Sequence, residues 1–95
     1  MKTQTIVLEK GNAIGYHIDL GSAPLILIQT RKGYVMCGYL NMATANKVGD
    51  IAGKVIGVKT FDDVLIAPIV EASENAKKAG LKEGMTAREF LNSII

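Results

Sequence analysis

Apolar residues occupy every second position between residues 14 and 20, and glycine or polar residues fill the positions between them. This two-residue period is typical of a strand with one apolar and one polar face. The preceding segment, 3–9, is rich in β-branched residues, and Gly11-Asn12 forms a turn pair between the two. The pattern predicts an N-terminal hairpin. It also places His17 on the polar face, towards solvent or a subunit interface.

Two uninterrupted apolar runs follow, at 25–28 and 34–40. Strands without alternation are usually buried on both faces, so we predict two internal strands here. The connection 31–33 is short and ends in Gly33, which suits a hairpin loop whose last residue is left-handed. The lone cysteine, Cys37, falls inside the second run. Core packing is therefore the favoured interpretation of this thiol, and a reactive thiol is the alternative.

From residue 41 the hydrophobic period becomes helical. Asn41 is a good N-cap, residues 42–51 place apolar side chains at helical spacing, and Gly53 closes the segment. A short apolar run at 55–58 predicts a fifth strand. Because about a dozen residues with a helix join the fourth and fifth strands, we expect these two strands to be parallel neighbours.

The C-terminal third is predicted to be largely helical. Thr60 begins a helical stripe that extends over 61–79, with Pro68 interrupting it. Either this segment is one helix kinked at the proline, or it is two elements. A short strand over 69–72 is a further alternative. A capping box at 86–89 predicts the start of a last helix.

This order of elements predicts an α+β fold in a single domain, residues 1–95. The architecture is a two-layer sandwich, with a mixed, mostly antiparallel sheet and helices mainly on one face. Residues 1–40 form a β-rich region, and 41–95 follow the order αβαα. The sheet face without helices needs a cover, and Tyr16 and Ile18 are assigned to it. Since unpaired strand edges invite pairing, we expect the β-rich region to mediate homo-oligomer assembly.

Composition narrows the functional classes. Hydrophobic residues make up 48% of the 95 positions but aromatic residues only 5%, so the core must be aliphatic. Eleven basic and nine acidic side chains are interspersed, which argues against nucleic-acid binding. The apolar runs are too short to cross a membrane. A single cysteine without a disulfide partner predicts a reducing cytoplasm. One histidine cannot form a histidine metal cluster, so no metal ligands are assigned, and the sequence identifies no cofactor.

A candidate ligand site lies at the carboxyl ends of the fourth and fifth strands. There Asn41 is expected beside Lys59 and Thr60, close to two helix N-termini, where open α/β sheets favour ligands. Helix capping by Thr60 and Asp63 is a sufficient structural explanation for that part of the segment. The alternative is a ligand or divalent-cation crevice that also includes Asp62. Since two carboxylates oppose an anion, we expect a ligand with hydroxyl or amine groups, or a metal-bridged one.

The sequence does not identify catalytic residues. A small enzyme would have Cys37 as its nucleophile candidate and Asp62 as its carboxylate candidate. Pairing Cys37 with His17 in a dyad would require these two side chains to be adjacent in space.

Three segments resemble the YunC-like family of small bacterial and archaeal domains of unknown function: 32–41, 57–63 and 84–89. The resemblance spans essentially the whole chain. It implies an α+β two-layer fold and a β-rich N-terminal region that mediates tetramer formation. It implies no activity and no catalytic residues. Pro68 departs from the smoother helix that the family implies, which affects the helix boundary and not the fold.

Together, these observations predict a small cytoplasmic domain that assembles with itself, as a tetramer by resemblance, and that carries no assigned activity. The alternative is a small enzyme, or a metabolite- or metal-binding module, that uses the crevice and a small-molecule ligand.

Overall fold

The computed structural model describes residues 1–95 and contains one six-stranded sheet with four helices. The strands are β1 (Lys2–Val7), β2 (Asn12–Asp19), β3 (Pro24–Gln29), β4 (Gly33–Met36), β5 (Ile51–Lys54) and β6 (Glu71–Ala72). The helices are α1 (Met42–Val48), α2 (Phe61–Ile66), α3 (Glu74–Lys78) and α4 (Ala87–Ser93). The strands lie side by side in chain order. None of the helices has the length and apolar character needed to span a bilayer.

The sheet is mixed and mostly antiparallel, which confirms the predicted α+β class. Only β4 and β5 pair in parallel, with Val35 opposite Gly53, and every other neighbouring pair is antiparallel. Three helices, α2, α3 and α4, contribute to the main core of 19 buried residues on one face. Helix α1 packs on the opposite face in a small cluster centred on Met36 and Met42. Hence α1 covers β4 and β5 but leaves β1 to β3 without a helix on that side.

Helix α1 is shorter than its periodicity predicts. Its N-cap is Asn41, as expected, but it ends at Gly49, whose left-handed backbone (φ 82°) forms the C-cap. The prediction that Gly53 closes this helix is therefore wrong, and β5 begins at Ile51 rather than at residue 55. Gly53 lies inside β5, where a Cβ would come within 2.9 Å of a core side chain. A small residue is needed there because the helix layer approaches the sheet closely.

The segment 61–79 forms separate elements rather than one kinked helix. Helix α2 ends at Ile66, and Ala67 before the proline has an extended backbone (ψ 145°), as residues preceding proline usually do. The chain then runs extended through Pro68, which lacks an N–H for a helical hydrogen bond. It pairs with β5 as β6 and re-enters a helix at the N-cap Ser73. The alternative of a short strand over 69–72 is thus correct in part, because β6 covers only Glu71–Ala72.

Strand β4 is also shorter than predicted, because it ends at Met36 and the chain turns from Cys37 onwards. Gly33 is not left-handed, contrary to the hairpin prediction. It opens β4 instead, and a Cβ at this position would collide with the carbonyl oxygen of Ile51 in the neighbouring strand. Close strand approach, and not a special turn conformation, therefore requires glycine here.

The face of β2 that carries His17 packs against the helix layer, and the opposite face is the more exposed one. Gly15 lies under the ring of Phe61, where a Cβ would come within 2.6 Å of a ring carbon. His17 packs against the same ring, with the ring centroids 6.2 Å apart and nearly perpendicular. The prediction that His17 lies on a polar face, towards solvent or a subunit interface, is therefore wrong, because small residues on its face of β2 admit the helix layer. Ile14, on the other face, is 48% exposed.

Candidate functional site

A crevice opens at the carboxyl ends of the two parallel strands. After β4 the chain crosses to the α1 face, and after β5 it crosses to the α2 face. The two connections, 37–41 and 55–60, therefore diverge, and such divergence is where open α/β sheets place ligands. The cavity between them has a volume of about 320 Å³, and its walls come from 23–24, 37–39 and 56–59. The predicted location of a ligand site thus coincides with a cavity.

The five predicted ligand-binding residues divide over this region. Lys59 is in the crevice wall. Asn41 borders an adjacent groove of about 440 Å³ that shares Gly38 and Tyr39 with the crevice. The other three predicted side chains, at the N-cap and in the first turn of α2, line no cavity. They belong to Thr60, Asp62 and Asp63. The structure therefore brings Lys59 to the crevice and Asn41 next to it.

Helix capping accounts for most of the polar atoms near these positions. The side chain of Asn41 accepts hydrogen bonds from the first turn of α1, the shorter one 2.7 Å from the N–H of Ala43. Thr60 and Asp63 form the predicted capping box, because the Thr60 hydroxyl accepts from the Asp63 N–H at 3.0 Å. The Asp63 carboxylate accepts in return from the N–H groups of Lys59 and Thr60, at 3.1 and 3.2 Å. This carboxylate therefore points at backbone amides.

Asp62 is exposed, and its side chain makes no hydrogen bond or ion pair within the chain. No three His, Cys, Asp or Glu side chains converge closely enough to hold a metal ion. The structure thus supplies no geometric partner for Asp62 as a catalytic or metal-binding carboxylate.

Cys37 lies at the end of β4 in the crevice wall and is only 4% exposed. Its Sγ accepts a hydrogen bond of 3.4 Å from the N–H of Ile26. His17 pairs with Ile26 from the other side, so the cysteine and the histidine stand two strands apart. Two strand spacings amount to about 10 Å, and fully buried Ile26 fills the space between them. The thiol and the imidazole therefore do not form a dyad.

Unbonded backbone amides are the feature of the crevice that the sequence did not reveal. Five N–H groups on the two walls have no acceptor within the chain; they belong to Gly38, Tyr39, Ile56, Gly57 and Val58. Each lies beyond the end of its strand, where ladder hydrogen bonding has stopped. Gly57 has a left-handed backbone (φ 70°). Glycines at 38 and 57 are visible in the sequence, but which amides remain unbonded depends on where the strands end.

A second feature is the helix-free side of β1 to β3, which we call the open face. Its apolar side chains come from all three strands and include Val7, Ile14, Tyr16, Ile18 and Leu27. A cavity of about 480 Å³ continues it beneath α1. There the Tyr34 hydroxyl donates a 2.7 Å hydrogen bond to Asp50. Burial, reinforced by this carboxylate, raises the pKa of Tyr34 to about 12.

Comparison with known proteins gives three findings. The model of a family described as a domain of unknown function, DUF1805, matches residues 36–94. The uncharacterized protein YunC of Bacillus subtilis strain 168 is 35% identical over 78 residues, which cover 78% of this chain and 77% of that protein. The crystal structure of a protein of unknown function from Thermoplasma acidophilum, TA1206, matches with a TM-score of 0.94 and 47% identity. That match covers 99% of this chain and 92% of the other.

Proposed function

The chain belongs to the DUF1805 family of domains of unknown function, and with that as premise we propose that it works as a cytoplasmic homo-oligomer. Residues 1–40 supply the contacts, and the tetramer is the state that the family resemblance implies. The biochemical activity of the assembly is not assigned. The observation that carries this proposal is the open face.

The open face has the chemistry of an interface and not of a solvated sheet surface. Strand alternation and the strand registers assign ten side chains of β1 to β3 to this face, and none of them is charged. They are Thr3, Thr5, Val7, Asn12, Ile14, Tyr16, Ile18, Leu25, Leu27 and Gln29. The strands of an antiparallel sheet with one solvated face normally alternate, so that apolar residues face the core and polar residues face water. Six of the ten side chains are apolar, and exposed apolar patches mark interaction sites.

The edge of the sheet supports the same conclusion. Strand β1 is an edge strand of six residues, and Lys2 is its only charged residue. Natural edge strands are usually protected by charges, proline or bulges, because their free N–H and C=O groups pair readily with other chains. An uncharged face beside an unprotected edge fits a second copy of the same chain, packed by two-fold symmetry so that the same patch is buried on both copies.

Native mass spectrometry of matched variants tests the assembly. Ile14→Lys puts a charge in the middle of the open face, and Ile66→Lys adds the same charge at a 74% exposed isoleucine on α2. We expect the unmodified protein and Ile66→Lys to be oligomeric and Ile14→Lys to dissociate. A monomeric unmodified protein at micromolar concentration would refute the proposal, and equal masses for the two variants would remove the open face as the interface.

A second candidate function is small-molecule binding in the crevice, either as a binding module or as part of a small enzyme. The specific observation in its favour is the cavity with Lys59 and the unbonded amides in its walls. In this function Asn41 borders the crevice, Thr60 and Asp63 cap the helix beside it, and Asp62 stays outside it. A thermal-shift screen against metals and common metabolites tests it. Stabilisation that is lost in Lys59→Met and kept in Asp62→Asn supports the crevice, and no stabilisation by any compound argues against it.

A further inference from the structure

We propose that the crevice binds a small monocarboxylate with a short aliphatic tail, and that backbone N–H groups from 38–39 and 56–58 hold the carboxylate. This inference rests on the second candidate function above. It names the ligand class of that site.

The unbonded amides provide the recognition group. Five residues from two loops line one cavity, and no protein atom accepts a hydrogen bond from any of their N–H groups. The other four residues are exposed, but Val58 is only 8% exposed, and a buried N–H without an acceptor costs free energy comparable to a lost hydrogen bond. A ligand that brings acceptor oxygens removes this cost. Grouped backbone donors of this type bind anions in proteins.

The charges of the crevice select an anion over a cation. Lys59 is the only ionised side chain in its walls, and no aspartate or glutamate lines it. Neither of the two neighbouring carboxylates lines the crevice, since Asp63 accepts hydrogen bonds from the amides of its own helix cap and Asp62 lines no cavity. The expectation of a hydroxyl, amine or metal-bridged ligand therefore gives way to a negatively charged one.

The rest of the cavity is apolar and small. Pro24, Cys37, Ile56 and Val58 contribute apolar surface. The Tyr39 hydroxyl closes one side by donating a 3.2 Å hydrogen bond to the carbonyl of residue 23. A volume of about 320 Å³ has room for on the order of ten water-sized groups at about 30 Å³ each. One carboxylate and a short aliphatic chain fit this space. A second carboxylate would have only Lys59 as a charged partner.

Titration of the ¹⁵N-labelled full chain with butyrate, followed by NMR, tests the proposal. Butanol and butylamine, which share the tail, serve as comparison probes. Butyrate is expected to shift the amide resonances of 38–39 and 56–58 saturably, with a dissociation constant of about 1 mM or weaker, as suits so small a ligand. Butanol and butylamine are expected to bind more weakly or not at all. Shifts that are stronger with butylamine would overturn the carboxylate assignment but leave a ligand-binding crevice. If none of the three probes moves these resonances, the carboxylate assignment and the crevice function both fail.

Two matched variants separate specific recognition from general attraction of anions. Lys59→Met removes the charge from the crevice wall, and Lys78→Met removes an exposed charge at the end of α3, remote from the crevice. We expect Lys59→Met to weaken butyrate binding by up to about fivefold, since exposed charges contribute little. Lys78→Met should leave binding unchanged. Equal weakening in both variants would overturn the proposed site.

Discussion

Replacing Ser73 with alanine is expected to destabilise this fold strongly. Ser73 is fully buried, and its hydroxyl joins three parts of the backbone. It donates to the carbonyl of Asp50 at 2.8 Å and accepts from the N–H of Ala52 at 3.0 Å. As the N-cap of α3, it also accepts from the N–H of Ala76 at 3.2 Å. One oxygen therefore fixes β5 to the start of a helix.

The magnitude follows from the groups that lose a partner. Loss of a serine N-cap costs about 1 kcal/mol. Leaving the buried N–H of Ala52 without its acceptor costs a further 1 to 3 kcal/mol or so. The expected loss is about 2 to 4 kcal/mol, a large part of the roughly 5 to 15 kcal/mol that stabilises a small domain. Ser93→Ala is the matched control, because the exposed Ser93 hydroxyl donates only to the backbone carbonyl of Glu89 within α4. It should change the stability by no more than about 0.5 kcal/mol.

Urea unfolding followed by circular dichroism measures both variants. The protein concentration must be the same throughout, since the stability of an oligomer depends on it. A loss for Ser73→Ala below about 1 kcal/mol, or one equal to that of Ser93→Ala, would show that the three-way hydroxyl contact is not an important determinant of the fold.

Three further outcomes are expected. The free energy of unfolding should fall as the pH rises from about 10 towards 12. Burial and Asp50 hold the pKa of Tyr34 at about 12 in the folded state. The unfolded chain releases the same proton near pH 10 or so, so the folded state loses stability between these two values. Urea unfolding at several pH values should show a smaller fall for Tyr34→Phe, and an unchanged slope would contradict this reasoning. Gly53→Ala should cost about 1 to 3 kcal/mol, because a core atom lies 2.9 Å from the position of the new methyl group. At Gly38 the added methyl group would have no atom closer than 3.9 Å, so Gly38→Ala should be nearly neutral. Thermal melts compare the two variants, and similar losses of stability for both would refute the packing argument. Iodoacetamide should alkylate Cys37 much more slowly in the native protein than in urea, because the thiol is buried; equal rates would mean that the thiol is accessible.

The parts of the fold that depend on local chemistry could be predicted from the sequence. The caps at Asn41, Thr60 and Thr86 were predicted and are present, because an N-cap needs only a short polar side chain next to a helical segment. The parallel pairing of β4 with β5 was also predicted, since the length of the connection between them decides it.

Errors arose where two local signals competed. Gly49 and Gly53 both suit a helix C-terminus, and only the packing of β5 against the core selects the first. The stripe over 61–79 has helical spacing, but Pro68 and the available edge of β5 convert its middle into a strand. The alternation within its own strand predicts a polar face for His17, towards solvent or a subunit interface. The sequence of one strand does not show which of its faces the helices cover.

The sequence places the candidate site at the carboxyl ends of β4 and β5, where a cavity lies, but it does not predict the chemistry of that cavity. Lys59 could be assigned to the crevice because it follows a strand that pairs in parallel. The unbonded amides could not be predicted, because they depend on where the strands end. The hydrophobic pattern predicts the start of β5 four residues too late, at residue 55 instead of Ile51.

Light scattering on the unmodified protein at micromolar concentrations tests most directly whether copies of this chain assemble. We expect a molar mass that is a multiple of the 10.2 kDa of one chain, with four copies as the state that the family resemblance implies. A mass of one chain across the whole concentration range would contradict the proposed assembly.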